Sequence, residues 1–108
     1  MKALLMRKPG DVVLTEYPTP VPGKNQVLVR IHAAGICVND IRDYKGECDF
    51  TYPRIGGHEY AGEIVQLGES VNPKRYHVGQ KVVTYCIDNC GECYFCHHGL
   101  IPTKSCSG

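Results

Sequence analysis

Three cysteines stand at strict three-residue spacing, Cys90, Cys93 and Cys96, and Cys106 follows ten residues later. Four thiolates gathered this closely can close a tetrahedral site around a soft cation, and a structural zinc needs no other protein atoms. A second constellation lies upstream. It reads Gly-Ile-Cys37-Val-Asn-Asp40, then Gly-Gly-His58-Glu59. One thiol, one imidazole and one carboxylate form the ligand mix of an open, catalytic zinc. The chain thus offers one metal for structure and part of a site for chemistry.

Those residues must be positioned by a small body. At 108 residues the chain has room for one domain. Its apolar share of 43% is ordinary globular usage, so a core is expected. Lys and Arg are scattered among Asp and Glu, and the net charge is only +1, which gives nucleic-acid binding no support. No apolar run is long enough to span a membrane, and Met1–Arg7 is too short an apolar core for a signal peptide. Seven cysteines suggest disulfides in a secreted chain. The odd number, the lack of an export signal and the metal-ligand spacing favour a reduced, cytoplasmic, metal-binding chain instead.

The elements read as short strands. Lys2–Arg7 and Val12–Tyr17 flank the turn chemistry of Lys8-Pro-Gly-Asp11. Pro18, Pro20 and Pro22 force an extended connection. In the strand Gln26–Ala34, Val27, Val29 and Ile31 share one side, and Leu28, Arg30 and His32 the other. A short helical turn is expected over Asn39–Tyr44, where Asp40 suits a capping position. Further strands are expected at Glu59–Leu67 and Lys81–Tyr85, and loop from Asp88 onward. Six or so short strands with little helix point to a mainly β fold, a small barrel or sandwich.

Four segments occur in a telling order: Ala34-Gly-Ile-Cys37-Val-Asn-Asp40, Pro53-Arg-Ile-Gly-Gly-His58-Glu59-Tyr-Ala-Gly62-Glu63-Ile, Val78-Gly79-Gln-Lys-Val82 and Cys90-Gly-Glu-Cys93-Tyr-Phe-Cys96. Together, with 21 positions from Cys37 to His58, they resemble the N-terminal part of the zinc-dependent medium-chain alcohol dehydrogenases. The resemblance implies a GroES-like, partly open β-barrel with a zinc-binding loop lobe. It implies that residues 1–108 are the catalytic domain of a longer enzyme, whose NAD(P)-binding Rossmann domain is absent here. No Gly-x-Gly-x-x-Gly follows any strand. The expected activity is oxidation of a small alcohol or polyol by hydride transfer to NAD or NADP, in a homo-oligomer when full length. The isolated 108 residues are expected to be inactive.

The resemblance also assigns roles. Cys37 and His58 match the first two catalytic zinc ligands, and Glu59 matches the adjacent carboxylate that can enter the coordination shell. Asp40 matches the acid that orients the ligating histidine. The remaining catalytic ligand is a cysteine beyond this chain. Cys90, Cys93, Cys96 and Cys106 match the structural zinc lobe, although the family commonly spaces the last pair by eight residues. His97 and His98 are alternative ligands there. Two positions depart from the pattern. Asn39 stands where Ser or Thr relays the substrate proton, and Arg42 where a histidine often continues the relay. A carboxamide does not readily accept a proton, and Arg stays protonated. Ordered water or Glu59 is the expected substitute.

Tyr44, Phe50 and Tyr52 are candidates to line a substrate pocket or to pack the barrel. Cys48 and Cys86 belong to neither cluster. Two other classes compete. An iron–sulfur electron carrier also begins with Cys-x2-Cys-x2-Cys, but continues with a nearby cysteine before proline, whereas Cys106 precedes Ser107. A non-enzymatic GroES-like module shares the barrel but has no need of seven cysteines.

Overall fold

In the computed structural model, residues 1–86 and 90–98 are described; Cys106 lies outside them. Six strands and two short helices alternate along the chain. Strands β1 (Lys2–Lys8) and β2 (Asp11–Glu16) form a hairpin around Pro9 and Gly10. Gly10 turns the corner at φ 75°, a conformation only glycine adopts freely. Strand β3 (Val27–Ala34) leads to helix α1 (Val38–Tyr44), and β4 (Arg54–Ile55), β5 (Tyr60–Leu67) and β6 (Lys81–Val83) follow. Helix α2 (Tyr94–His97) ends the described chain.

Two antiparallel sheets result, with strand orders β2-β1-β4 and β3-β5-β6. The mainly β architecture is the expected one. Among the described residues the sheets do not close on each other, and the radius of gyration of 15.8 Å exceeds the roughly 13 Å usual for this length. The partly open barrel is therefore open on this evidence too. Its packed centre is small: Ile64 on β5 is fully buried, and Ala3 on β1 nearly so. Many large apolar side chains stay exposed, among them Leu4 and Leu14, which face each other across β1 and β2. Strand alternation is cleanest in β2, where half-buried and exposed residues strictly alternate.

Three local readings need correction. The expected loop after Asp88 contains α2, a single turn begun at Cys93, whose carbonyl accepts from the His97 N–H at 3.0 Å. Glycine and cysteine spacing carries no helical period to betray it. Strand β4 also went unexpected, because two residues after a proline show no alternation. The third concerns β3. Register shifts between Leu28 and Val29 and between Ile31 and Ala33 break the strict two-sided pattern. The first shift leaves Val65 of β5 unpaired and the second leaves His32 of β3 unpaired, and Val27, Leu28, Val29 and Ile31 all border one cavity. Smaller differences of one or two residues at strand ends are ordinary fraying.

β3 and β5 approach so closely at Gly62 that a Cβ there would collide with the Arg30 carbonyl oxygen. This glycine is what brings Tyr60, and the residues just before it, against the end of β3.

Candidate metal centres

Helix α1 begins at Cys37, whose extended backbone (φ −84°, ψ 160°) makes it the residue before the first helical turn. Its N–H is one of the donors that a helix start leaves without an intrahelical partner. The Asp40 carboxylate accepts that N–H at 2.8 Å. The other Asp40 oxygen lies 3.8 Å from Nδ1 of His58. The capping role and the histidine-facing role, alternatives in the sequence, are thus filled by the two oxygens of one carboxylate.

His58 arrives from the opposite direction, through Gly56 and Gly57, just before β5. The side chain of Thr84 holds the chain here. Its hydroxyl donates to the His58 carbonyl at 2.9 Å and accepts the Tyr60 N–H at 2.9 Å, bracketing Glu59. On the other flank the Gly35 N–H donates to the Glu59 carbonyl at 2.8 Å. A Cβ on Gly35 would stand 2.9 Å from a Glu59 carboxylate oxygen, so any larger residue there would shift that carboxylate. Cys37, His58 and Glu59 are brought together as a result, with ligand atoms all within 4.8 Å of one another. Cys37 and His58 are half-buried and Glu59 is exposed.

The thiol, imidazole and carboxylate donors suit zinc. Zinc bonds of ~2.0–2.3 Å at tetrahedral angles would set such atoms roughly 3.5 Å apart. The observed set, with every separation within 4.8 Å, is assembled within reach of one ion. Asn39 and Arg42 stand on the exposed side of α1, and Arg42 is engaged by Glu47 at 3.5 Å.

The second cluster is Cys90, Cys93 and Cys96. Its sulfurs are 3.5 Å apart for Cys93 and Cys96 and 3.9 Å apart for Cys90 and Cys96. A tetrahedral zinc with ~2.3 Å bonds sets its sulfurs roughly 3.8 Å apart. The separations are far beyond a disulfide bond of about 2.05 Å. The N–H groups of Glu92 and Cys93 point at Cys90 Sγ, at 3.5 and 3.4 Å, as donors that stabilise a ligating sulfur. These residues fit zinc. His98 is turned elsewhere: its ring stacks on Tyr94 at 4.1 Å and its Nδ1 meets the Tyr94 carbonyl at 2.8 Å. Cys48 and Cys86 lie outside both clusters among the described residues.

Family comparison decides what kind of protein carries these centres. The Alcohol dehydrogenase GroES-like domain family matches residues 23–108. The chain belongs to the medium-chain zinc alcohol dehydrogenase family. Within that family it is 40% identical over 104 residues to a sorbitol dehydrogenase of Halalkalibacterium halodurans, covering 92% of this chain and 29% of that protein. It is 39% identical over 100 residues to the starvation-sensing protein RspB of Escherichia coli, again covering 92% and 29%. An Escherichia coli rspB crystal structure in complex with NADH superposes with a TM-score of 0.81 at 38% identity, covering 93% of this chain and 28% of that one. The chain therefore carries the family's GroES-like fold and spans under a third of the length of these dehydrogenases.

Thr84, Gly35 and the cavity beside Glu59 were not singled out from the sequence. Only Gly35 left a trace, as part of the motif that ends in Cys37. The cavity measures about 350 Å³ and is lined by Val29, Ile31, Ala34, Gly57 and Tyr60 among others. Tyr44, Phe50 and Tyr52 do not line it. Tyr52 instead donates to Asp43, and Phe50 lies under the Arg54 guanidinium.

The Thr84 bracket has a measurable consequence. Thr84→Val keeps the shape and deletes both hydrogen bonds. It is expected to destabilise the chain by about 1–3 kcal/mol, because a backbone donor and an acceptor lose their partner. Urea unfolding measures this. A valine variant as stable as the parent would mean that the bracket contributes nothing.

Proposed function

We propose that residues 1–108 form the catalytic-domain portion of a longer zinc-dependent oxidoreductase. Its reaction is oxidation of a small alcohol or polyol to a ketone or aldehyde, with hydride passing to NAD or NADP. The observation that carries this reading is the convergence of Cys37, His58 and Glu59, backed by Asp40. Similarity to sorbitol dehydrogenase and to an NADH-bound relative favours it over an iron–sulfur carrier or a non-enzymatic module.

In this reading Cys37, His58 and Glu59 hold the catalytic zinc, with one further ligand from outside these residues. A zinc there supplies a Lewis acid that polarises a carbonyl or acidifies a hydroxyl. Cys90, Cys93, Cys96 and Cys106 hold the structural zinc. Asp40 fixes the His58 ring by facing Nδ1, which leaves Nε2 for the ion. The apolar wall of β3 beside Glu59 receives the substrate's carbon skeleton. Asn39 orients the substrate hydroxyl by hydrogen bonding but takes no proton. Arg42 is occupied by Glu47 and has no proton to exchange. Glu59, exposed at the centre, is the carboxylate placed to accept the proton when it is released from the ion, which also opens the position a substrate needs.

The test is an assay of reduced nicotinamide with a panel of alcohols and polyols. The zinc-loaded chain joined to its nucleotide-binding domain is expected to turn over, and the 108 residues alone are not. Absence of turnover by the joined, zinc-loaded protein across the panel would oppose the reading, as would turnover by the isolated residues.

A further inference from the structure

Asp43 is the buried charged residue among those described, with 3% of its surface exposed, and it lies outside both metal clusters. A charge taken out of water is retained only with strong partners. Asp43 has two. One carboxylate oxygen accepts the Tyr52 hydroxyl at 2.6 Å, and the other accepts Nη1 of Arg54 at 3.0 Å. The guanidinium is itself seated on the Phe50 ring, 3.9 Å from its centre. The hydrogen bond to Asp43 raises the Tyr52 phenol above its ordinary value, as expected for a proton held between the two groups.

This cluster joins two segments that nothing local holds in register. Asp43 lies in the last turn of α1, whose first turn carries Cys37 and Asp40. Arg54 opens β4 and leads, four residues on, to His58. Between them stand Gly56 and Gly57, the latter at φ 100°. Two consecutive glycines leave the backbone permissive, so His58, held on its far side by Thr84, needs a second hold set before them. It is set at Arg54, which pairs with Met6 of β1. The end of α1 is held to the same hairpin, because the Gly10 N–H donates to the Tyr44 carbonyl at 2.7 Å. Both halves of the centre thus share one anchor, and Asp43 is the side chain that connects them.

We propose that Asp43, through Tyr52 and Arg54, is a positioning residue that sets the spacing of Cys37 and His58 in the catalytic metal centre. The proposal rests on the reading of Cys37, His58 and Glu59 as that centre. It concerns how tightly the centre holds an ion and assigns Asp43 no contact with substrate.

Cobalt(II) binding tests it on the full chain. The cysteine lobe is first filled with zinc. Cobalt is then titrated in, and the single-thiolate charge-transfer band of the Cys37 centre is followed. Asp43→Asn keeps the side-chain shape but loses the charge and one of the two acceptor oxygens, so it cannot serve both Tyr52 and Arg54 as Asp43 does. It is expected to weaken cobalt binding about tenfold, the lower range seen when outer-shell partners of a metal are changed. The zinc content of the lobe should not change. Tyr52→Phe, which removes one hydrogen bond and keeps the ring, should weaken binding measurably but less than Asp43→Asn, and guards against a misfolded first variant. Cobalt affinity unchanged in both variants overturns the proposal. So does a parallel loss of lobe zinc and cobalt affinity, the mark of a merely structural role. If the parent itself binds no cobalt through Cys37 and His58, the centre's identity fails and the proposal falls with it.

Discussion

Cys93→Ser is expected to empty the cysteine lobe and unfold it. Cys93 supplies a sulfur within 3.5 Å of Cys96, and it also starts α2, whose single turn has few contacts of its own. Four residues cannot sustain a helix by propagation, since nucleation alone is unfavourable. The residues around them are exposed: Tyr94 and Phe95 show large parts of their rings to solvent. Among the described residues of this segment nothing is buried enough to substitute for the ion as its organiser. Structural zinc contributes about 10–16 kcal/mol of apparent binding free energy in small peptide sites, all of it realised as folding. Serine offers a hard oxygen with little affinity for zinc at neutral pH. Loss of metal should therefore be complete at micromolar protein, with faster proteolysis between Cys86 and His98. The two sheets should survive, because their ladders and the buried Ile64 lie outside the lobe. Circular dichroism and limited proteolysis on the parent and the variant distinguish this outcome. A variant that keeps a stoichiometric zinc would remove Cys93 from the ligand set.

His58→Ala is expected to have the second large effect, at the other centre. It removes the imidazole proposed as a ligand and leaves the Asp40 carboxylate facing a void, while the hydrogen bond of that carboxylate to Cys37 remains. The fold should barely respond, since His58 is half-buried and its backbone contacts to Thr84 are unaffected. The metal should respond strongly. A protein ligand lost from a set of three in hand leaves a thiol and a carboxylate, too few to compete with water. In the proposed longer enzyme the loss should exceed about a thousandfold in kcat/KM, roughly 4 kcal/mol of transition-state stabilisation. His58→Asn is the useful companion, because it keeps a polar group opposite Asp40 and isolates the loss of ligation. Near-parental turnover by either variant would remove His58 from the catalytic set.

The chemistry was more legible than the framework that aims it. Cys37, His58, Glu59 and the cysteine triplet announced themselves by residue type and interval, because metal ligation demands particular donors at particular reach. The strands followed from alternation between turn residues, and β2 shows that alternation intact. Legibility failed wherever tertiary register decides. Asp43 looked like one more charge on a short helix, yet it is buried because Tyr52 and Arg54 reach it from a segment nine to eleven residues on. Thr84 looked like a β-branched strand residue, and its hydroxyl matters only because β6 pairs with β5 beside His58. The pairing of β3 with β5 slips at Val65 and at His32, and such a bulge has no period to read.

The exposure of so many apolar residues fits a domain that spans under a third of its relatives' length. Val83 and Ile36, both about four-fifths exposed, flank the strand and loop that frame the centre.

Metal content per chain, after purification without added metal, is the most direct test of the central claim that this chain holds two distinct zinc centres. The expected result is about one tightly held zinc that Cys93→Ser abolishes, and a second, weaker one that Cys37→Ser or His58→Ala abolishes alone. Iron with sulfide, or no zinc at either centre even after loading, would contradict it.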